Sequence, residues 1–344
     1  MQTKIINADS MEHLKTLDEN IFDSCVTDPP YHLASIVKRF GPGQKCINNQ
    51  DEKEGRNGPY HRAATGFMGQ TWDGGDIAFQ KEFWEQVYRT IKPGAVLLSF
   101  AATRNYHRMA VAIEDAGFEI FDMINWIYGS GFPKRRNLLK PAHEPILMAR
   151  KGVNKELNLD ECRVGDFEQD TNKNRRNVDH KEYIFKLGLK DTSPFGVTKG
   201  RWPANVIHDG SEEVIESFPQ HTKAGKYKGE GSKSGGIWHK STGKPAGVEY
   251  GDEGSVARYF YSAKANKKEK GDTKHPTVKP LSLMRYLIKL VTPKEGLVLD
   301  PFAGTGTTGE ACILENRKYY LIEKTKEYIP DIENRLNKYG RLGI

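Results

Sequence analysis

Short segments of continuous apolar character alternate with helical periodicity at both ends of this 344-residue chain. Segments that are apolar on both faces are typical of strands in a parallel sheet whose two faces are covered by helices. The predicted strands are residues 24–27, 95–100, 118–127, 145–149, 296–300 and 319–323. The sequence therefore predicts an α/β fold with a mostly parallel sheet and helices on both faces.

Helical stretches separate these strands. In residues 79–91 the apolar and aromatic side chains recur at the spacing of one helical face, and residues 281–291 show the same pattern. Pro93 and Gly94 are expected to break the chain between the first of these helices and the strand that follows. The other predicted helices are residues 104–116, 307–315 and 328–336.

Residues 151–274 lack this alternation and contain scattered Gly, Asn, Lys and Asp. We therefore predict that residues 1–150 and 275–344 build one sheet together. Residues 151–274 would form a module inserted between the two halves.

The composition excludes several classes of protein. Lys and Arg exceed Asp and Glu by 52 to 45, and the formal charge of +7 permits a polyanionic partner without requiring one. Because no run of about 18 apolar residues is present, we expect no membrane span. The first residues turn polar too early for a secretory signal, and neither the four cysteines nor the histidines have metal-ligand spacing. We expect a reduced, cytoplasmic protein without bound metal.

Residues 297–309 predict a strand, a turn of small residues and the start of a helix. Glycines let the backbone approach a ligand closely, and a helix N-terminus offers unpaired N–H groups. Glu323 closes the next strand, where a carboxylate can accept hydrogen bonds from both ribose hydroxyls of an adenosyl ligand. The spacing of Gly304, Gly306 and Gly309 also satisfies the dinucleotide-binding fingerprint, so a nicotinamide-binding protein is an alternative.

Two features favour S-adenosylmethionine over a nicotinamide cofactor. Only about 35 residues follow Gly309, too few for a second mononucleotide-binding half. An acid at the end of the strand suits a zwitterionic ligand better than a pyrophosphate. The residues predicted to form the cofactor pocket are Asp300, Pro301, Phe302, Ala303, Gly304, Thr305, Gly306, Thr307 and Glu323.

The tetrapeptide Asp28-Pro29-Pro30-Tyr31 follows the first predicted strand. Two prolines fix φ and remove two backbone donors, which gives a stiff turn with carbonyl oxygens directed into a cleft. A carboxylate, a rigid carbonyl and an aromatic face suit a planar amine, such as that of an extruded adenine. We predict that Asp28 and the Pro29 carbonyl accept its hydrogens and that Tyr31 stacks on the base. The amine would then attack a sulfonium methyl in line.

The two motifs together resemble those of the DNA amino-methyltransferases that modify adenine N6 or cytosine N4. The proline tetrapeptide comes first and the glycine turn last, as in the permuted β group, and the resemblance covers most of 1–150 and 275–344. It implies a Rossmann-like methyltransferase fold in permuted order, S-adenosylmethionine as cofactor and a target-recognition role for 151–274. Short segments in and near that region resemble phage and prophage members.

The resemblance also implies roles outside the two motifs. Residues 275–280 resemble the family's segment on the methionine side of the cofactor, which implies that Thr277 and Lys279 lie there, and Asp28 would also border the cofactor. Residues 7–10 resemble the segment whose acid, here Asp9, lies near the cofactor adenine. Methylation of cytosine carbon 5 needs a Pro-Cys nucleophile, and the sequence has no such dipeptide.

Substrate DNA must be held while one base is rotated out of the stack. Three basic stretches, residues 32–75, 221–244 and 264–274, are predicted to contact phosphates, which gives salt-dependent affinity rather than sequence readout. The segment 134–137 is a further predicted phosphate contact. The residues named for DNA contact are Lys38, Arg39, Arg135, Arg136, Lys226, Lys228 and Lys233. We interpret residues 32–75 as a flap that closes over the extruded base.

The sequence therefore predicts a site-specific adenine-N6 methyltransferase that acts on double-stranded DNA. N4-cytosine methylation is the nearest alternative. A nicotinamide-dependent oxidoreductase and a DNA-binding protein without catalysis are alternatives of other classes. The resemblance admits a homodimer and a cognate restriction endonuclease as partners.

Overall fold

A computed structural model of the chain describes residues 3–31, 76–129, 139–153, 156–170, 197–220, 222–223, 253–263 and 278–340. The described strands are β1 (Lys4–Asn7), β2 (Phe22–Thr27), β3 (Ile91–Phe100), β4 (Glu119–Ile127), β5 (His143–Arg150), β6 (Val164–Asp170), β7 (Val197–Arg201), β8 (Val206–His208), β9 (Thr222–Lys223), β10 (Glu253–Gly254), β11 (Tyr261–Ser262), β12 (Leu297–Asp300) and β13 (Lys318–Glu323). The described helices are α1 (Ser10–Lys15), α2 (Lys81–Thr90), α3 (Tyr106–Asp115), α4 (Glu212–Ser217), α5 (Leu281–Val291), α6 (Thr307–Leu314) and α7 (Ile329–Gly340).

Nine of these described strands form one sheet in the order β1-β13-β12-β2-β3-β5-β4-β8-β11. Neighbouring strands run parallel, except that β5 runs antiparallel to β3 and to β4. The prediction of a mostly parallel α/β sheet is therefore confirmed. The strands β8 and β11 extend this sheet beyond β4, so part of the region 151–274 belongs to the sheet itself.

The centre of the sheet joins the two ends of the chain. Strand β12 lies between β13 and β2, and its Val298 and Leu299 pair with Ser24 and Cys25 of β2. Because parallel strands end at the same edge of a sheet, the residues that follow β2, β12 and β13 meet at that edge. Both sequence motifs follow strands of this group.

Helices cover both faces of the sheet. Leu97 and Leu98 are consecutive in β3, point to opposite faces, and are both fully buried, each in a different apolar cluster. On one face α2 contributes Phe83 and Trp84 to the cluster that contains Leu97. On the other face α5 contributes Leu287 to the cluster that contains Leu98. Burial of each such side chain contributes roughly 1.5–3 kcal/mol, so the two clusters hold the helices against the sheet.

The predicted helices have the expected periodicity and nearly the expected bounds. Helix α5 begins and ends where the sequence predicts, and α3, α6 and α7 start or stop within a few residues of the prediction. Helix α2 begins at Lys81 rather than at 79, because Ile77–Phe79 forms a 3₁₀ turn before it. None of the helices in the described ranges is long and apolar enough to cross a membrane.

The structure differs from prediction at Pro93 and Gly94. Strand β3 already begins at Ile91 and continues through both residues. The pairing of β3 with β2 is shifted here, and Gly94 adopts φ 78° while its N–H bonds the Lys151 carbonyl at 2.7 Å. The two residues therefore form an irregularity inside the strand instead of a break before it.

Candidate active site

The proline tetrapeptide and the glycine turn are joined by a hydrogen bond between their supporting strands. Thr27 is the last residue of β2, and its Oγ1 donates to Asp300 Oδ1 at 2.8 Å. Both residues are buried, with exposed fractions of 0% and 2%. Asp28 follows Thr27 directly, so the predicted catalytic acid is next in sequence to the residue that bonds Asp300, where the glycine turn starts.

Asp300 accepts two further hydrogen bonds, one from the glycine turn and one from the start of α6. Oδ1 also accepts the Phe302 N–H at 3.1 Å, and Oδ2 accepts the Thr308 hydroxyl at 2.5 Å. Burial raises the pKa of Asp300 to about 6 against the opposing effect of these hydrogen bonds. The carboxylate thus ties β12, the turn and the start of α6 to β2, which fits the predicted role of shaping the pocket.

Two glycines give the turn its path. Gly304 and Gly306 adopt φ 53° and 80°, in the left-handed region that favours glycine. A Cβ on Gly306 would lie 2.9 Å from Ile332 Cγ2 of α7, so the close approach of that helix also requires glycine. Gly306 caps α6, whose first N–H groups lack intrahelical partners.

Glu323 is the last residue of β13, and its side chain contacts the glycine turn. Its Oε2 accepts the Gly304 N–H at 2.8 Å, and its Oε1 accepts the Thr325 N–H at 2.7 Å. The residue is 8% exposed, and burial raises its pKa. Each carboxylate oxygen has a second lone pair, so the group retains acceptor capacity for hydroxyls of a ligand.

Asp9 lies beside the same strand end. It caps α1 by accepting the Glu12 N–H at 3.3 Å and pairs with Lys324 at 2.9 Å. Burial opposes ionisation, but the hydrogen bonds from Lys324 and the Glu12 backbone outweigh it and lower the pKa of Asp9. Asp9, which is predicted to lie near the cofactor adenine, therefore pairs with the residue that directly follows Glu323.

Asp28 and Tyr31 belong to a closed cluster with two further charged residues. The Tyr31 hydroxyl donates to Asp28 Oδ1 at 2.7 Å and lies 3.2 Å from Glu144 Oε2. Lys279 Nζ donates to Asp28 Oδ2 at 2.7 Å and lies 3.2 Å from the same Glu144 oxygen. We call these four residues the acid–lysine cluster. It places one ammonium and one hydroxyl between two carboxylates.

The acid–lysine cluster is largely enclosed. The Lys279 side chain is 10% exposed, and its Nζ lies 4.8 Å from the centroid of the Phe100 ring. Burial would lower the pKa of Lys279, but the charges of Asp28 and Glu144 outweigh it and raise the pKa. Burial, followed by the same two carboxylates, raises the pKa of Tyr31. Lys279 is therefore a cation and Tyr31 a neutral hydroxyl at neutral pH.

Sequence reasoning missed Glu144 and gave Lys279 a different neighbourhood. The only available signal for Glu144 was a charged residue at the start of the apolar segment 145–149. It reaches the site because β5 is antiparallel, which brings its first residues to the edge where β2 ends. Lys279, predicted at the methionine end of the cofactor, lies against Asp28. A contact between Lys279 and the cofactor stays a prediction.

Several predicted site residues lie outside the described ranges. They are Thr277 and the basic residues Lys38, Arg39, Arg135, Arg136, Lys226, Lys228 and Lys233. Their contacts with cofactor and DNA stay predictions, as does the flap over 32–75. Within the described ranges, no group of His, Cys, Asp and Glu side chains is arranged to hold a metal ion.

Comparison with known proteins identifies the family. The family model for N6/N4 methyltransferases, described as DNA methylase, matches residues 22–334. The chain is 25% identical to the type II methyltransferase M.HpaI of Haemophilus parainfluenzae over 339 residues, which cover 98% of this chain and 75% of that protein. It is 24% identical to the type II methyltransferase M.HindIII of Haemophilus influenzae, with coverage of 96% and 94%.

A solved structure shares the fold. The PvuII DNA methyltransferase, which is described as cytosine-N4-specific, superposes with a TM-score of 0.50 and 16% identity over 97% of this chain and 86% of that one. The family match includes the proline tetrapeptide, the glycine turn and the strands described above other than β1. The chain therefore belongs to the N6/N4 DNA methylase family and is a DNA methyltransferase.

Proposed function

We propose that the protein transfers the methyl group of S-adenosylmethionine to the exocyclic N6 amine of adenine at a specific site in double-stranded DNA. The observation that carries this proposal is the bond from Thr27 to Asp300, which joins the two halves of the site. This bond places Asp28, the proposed acceptor of the target amine, close to the glycine turn that is proposed to hold the methyl donor. The names of two relatives, which are type II methyltransferases, also support methyl transfer.

The residues of the cofactor half fit S-adenosylmethionine. Glu323 offers lone pairs to the ribose hydroxyls, and the N–H groups at the start of α6 face the turn. Asp9 supplies a second acid beside this strand end. When bound, the cofactor supplies a sulfonium methyl group that is open to nucleophilic attack. The residues at the turn hold it in place, and none of them is required to act as a nucleophile.

The residues of the catalytic half fit a neutral planar amine. Asp28 is proposed to accept a hydrogen of the amine, the Pro29 carbonyl to accept the other, and Tyr31 to stack on the extruded base. These contacts orient the nitrogen lone pair toward the methyl carbon. An in-line displacement of this kind depends on positioning and on stabilising the positive charge that develops on nitrogen.

Adenine is proposed as the target because the tetrapeptide begins with Asp28. In the family that the sequence resembles, serine at this position is associated with cytosine as the target. The region 151–274 is proposed to recognise the DNA sequence. To test the target, the protein is incubated with labelled S-adenosylmethionine and genomic DNA, and the DNA is digested to nucleosides. We expect label in N6-methyl-2′-deoxyadenosine. Label in N4-methyl-2′-deoxycytidine would correct the base but keep the reaction, and unlabelled DNA would refute the proposal.

A further inference from the structure

The acid–lysine cluster contains more acid than the proposed reaction at Asp28 requires. Asp28 and Glu144 carry two negative charges and Lys279 carries one positive charge, so the cluster has a net charge of −1. Glu144 Oε2 lies 3.2 Å from both Lys279 Nζ and the Tyr31 hydroxyl, and these are the same two donors that Asp28 binds at 2.7 Å. Glu144 therefore competes with Asp28 for both donors.

We propose that Glu144 is a positioning residue for methyl transfer, which acts on Asp28 by sharing Lys279 and Tyr31 with it. This inference rests on the proposed function. While Glu144 shares the two donors, Asp28 keeps negative charge and lone pairs for the target amine. If Glu144 loses its charge, Lys279 pairs with Asp28 alone, and Asp28 becomes a weaker acceptor.

The sharing of Lys279 between Asp28 and Glu144 also affects the charge that develops during the reaction. The N6 electron pair forms the new N–C bond, the electrons of the S–C bond leave on sulfur, and the positive charge passes from sulfur to nitrogen. The N6 proton then goes to the Asp28 carboxylate. A site with net charge −1 stabilises the cation on nitrogen throughout this transfer, whereas a neutral site does not.

The side chains of the cluster come from three separate parts of the fold, since Asp28 and Tyr31 share the tetrapeptide after β2. Glu144 lies in β5 and pairs with Trp126 of β4, so the sheet holds its backbone. Lys279 precedes Pro280, which caps α5. The Phe100 ring borders the ammonium from β3. The cluster is consequently preorganised and does not have to assemble when DNA binds.

Tyr128 is a further titratable residue close to Glu144 and Lys279. Burial and the charge of Glu144 raise its pKa to about 12, while Lys279 acts in the opposite direction. Its hydroxyl stays protonated in the range where the enzyme would be assayed. Tyr128 therefore adds no charge to the acid–lysine cluster in that range.

The test compares Glu144→Gln with wild type and with Glu119→Gln. Glu119 pairs with Arg150 at the opposite end of the same two strands, with its own side chain exposed, and is the matched control. We expect Glu144→Gln to lower kcat at least 10-fold, with little change in the KM for DNA or the Kd for S-adenosylmethionine. Glu144→Asp should recover part of the lost kcat.

The outcomes separate this inference from the proposed function. If wild type does not methylate DNA, both fail. If wild type and Glu119→Gln methylate DNA and Glu144→Gln retains the wild-type kcat, only the role of Glu144 is overturned. If Glu144→Gln does not fold, Glu144→Asp decides: a reduced kcat with an unchanged cofactor Kd supports the role, and a wild-type kcat overturns it.

Discussion

Thr27 Oγ1 donates a hydrogen bond to Asp300 Oδ1 across 273 positions of sequence, inside the central strands of the sheet. Thr27→Val keeps the branched shape of the side chain and removes the donor. Because the buried carboxylate then loses a hydrogen bond, we expect the free energy of unfolding to fall by about 1.5–3 kcal/mol. Urea unfolding at neutral pH measures this loss.

A matched control is Thr16→Val, since the Thr16 hydroxyl bonds the His13 carbonyl at the exposed end of α1. It should change stability by well under 1 kcal/mol. In the double variant with Asp300→Asn, the effect of Thr27→Val should shrink, because the two residues share one interaction. Additive effects would contradict the coupling.

Asp28→Ala should abolish methyl transfer while the protein still binds S-adenosylmethionine. The variant removes the proposed acceptor of the target amine, and Lys279 keeps Glu144 as its partner, so the fold should be retained. We expect kcat to fall by roughly 10²–10⁴-fold. Incorporation of labelled methyl groups measures turnover, and calorimetry measures cofactor affinity. Ala at the exposed Asp18 serves as control, and unchanged turnover at Asp28 would remove its assigned role.

Glu323→Ala should weaken cofactor binding. The variant removes a buried carboxylate that holds the Gly304 N–H and is proposed to take the ribose hydroxyls. Loss of hydrogen bonds to a charged group costs about 1.5–3 kcal/mol, so the Kd should rise roughly 10–100-fold. Calorimetry compares it with Ala at the exposed Glu327, for which we expect no change. Equal affinities in the two variants would contradict the ribose role.

Gly306→Ala should destabilise the glycine turn. The residue has a positive φ, and a new Cβ would meet Ile332 Cγ2 at 2.9 Å. Gly152→Ala is the control, because Gly152 also has a positive φ but has open space where its Cβ would be. The backbone term is about 1–2 kcal/mol in both variants, so the larger loss in Gly306→Ala isolates the contact with Ile332. Equal losses in thermal unfolding would show that α7 moves aside freely.

Asp300 should make the wild-type protein less stable as pH rises from about 4 to 6. Its pKa is raised from 3.8 to about 6, so the folded state binds a proton that the unfolded state has already released in this range. The difference of about two units corresponds to roughly 3 kcal/mol. Wild type should therefore lose stability relative to Asp300→Asn between these pH values and show no further relative loss above pH 7. A relative gain would reverse the sign assigned to Asp300.

The predictable parts of the molecule are those fixed by local pattern. The periodicity of 281–291 determined α5, and the strand–turn–helix pattern placed Asp300 and Glu323 at neighbouring strand ends. Helix α1 and strand β1 were not predicted, because both are short and half-exposed. Strand β1 pairs with β13, and His13 of α1 bonds the Tyr320 hydroxyl of β13 at 2.8 Å. Contacts with distant segments stabilise α1 and β1, and the local sequence pattern does not show these contacts.

Glu144 shows the second limit of prediction from sequence. Its role depends on the direction of β5, which no pattern within residues 143–150 specifies, because an apolar strand looks the same in either direction. Lys279 is a similar case, since its ammonium is directed by carboxylates from two distant segments. A cluster of charged residues from several strands can be predicted only when the order and direction of those strands are known.

The position of β12 at the centre of the sheet has a consequence for synthesis. A nascent chain that stops short of Leu297 has β2 with one side unpaired, where the backbone groups of Ser24 and Cys25 await a partner. Such an edge invites association with other chains, and it closes only after β12 has left the ribosome. The glycine turn follows β12 directly, so it forms in the same late step that covers this edge of β2.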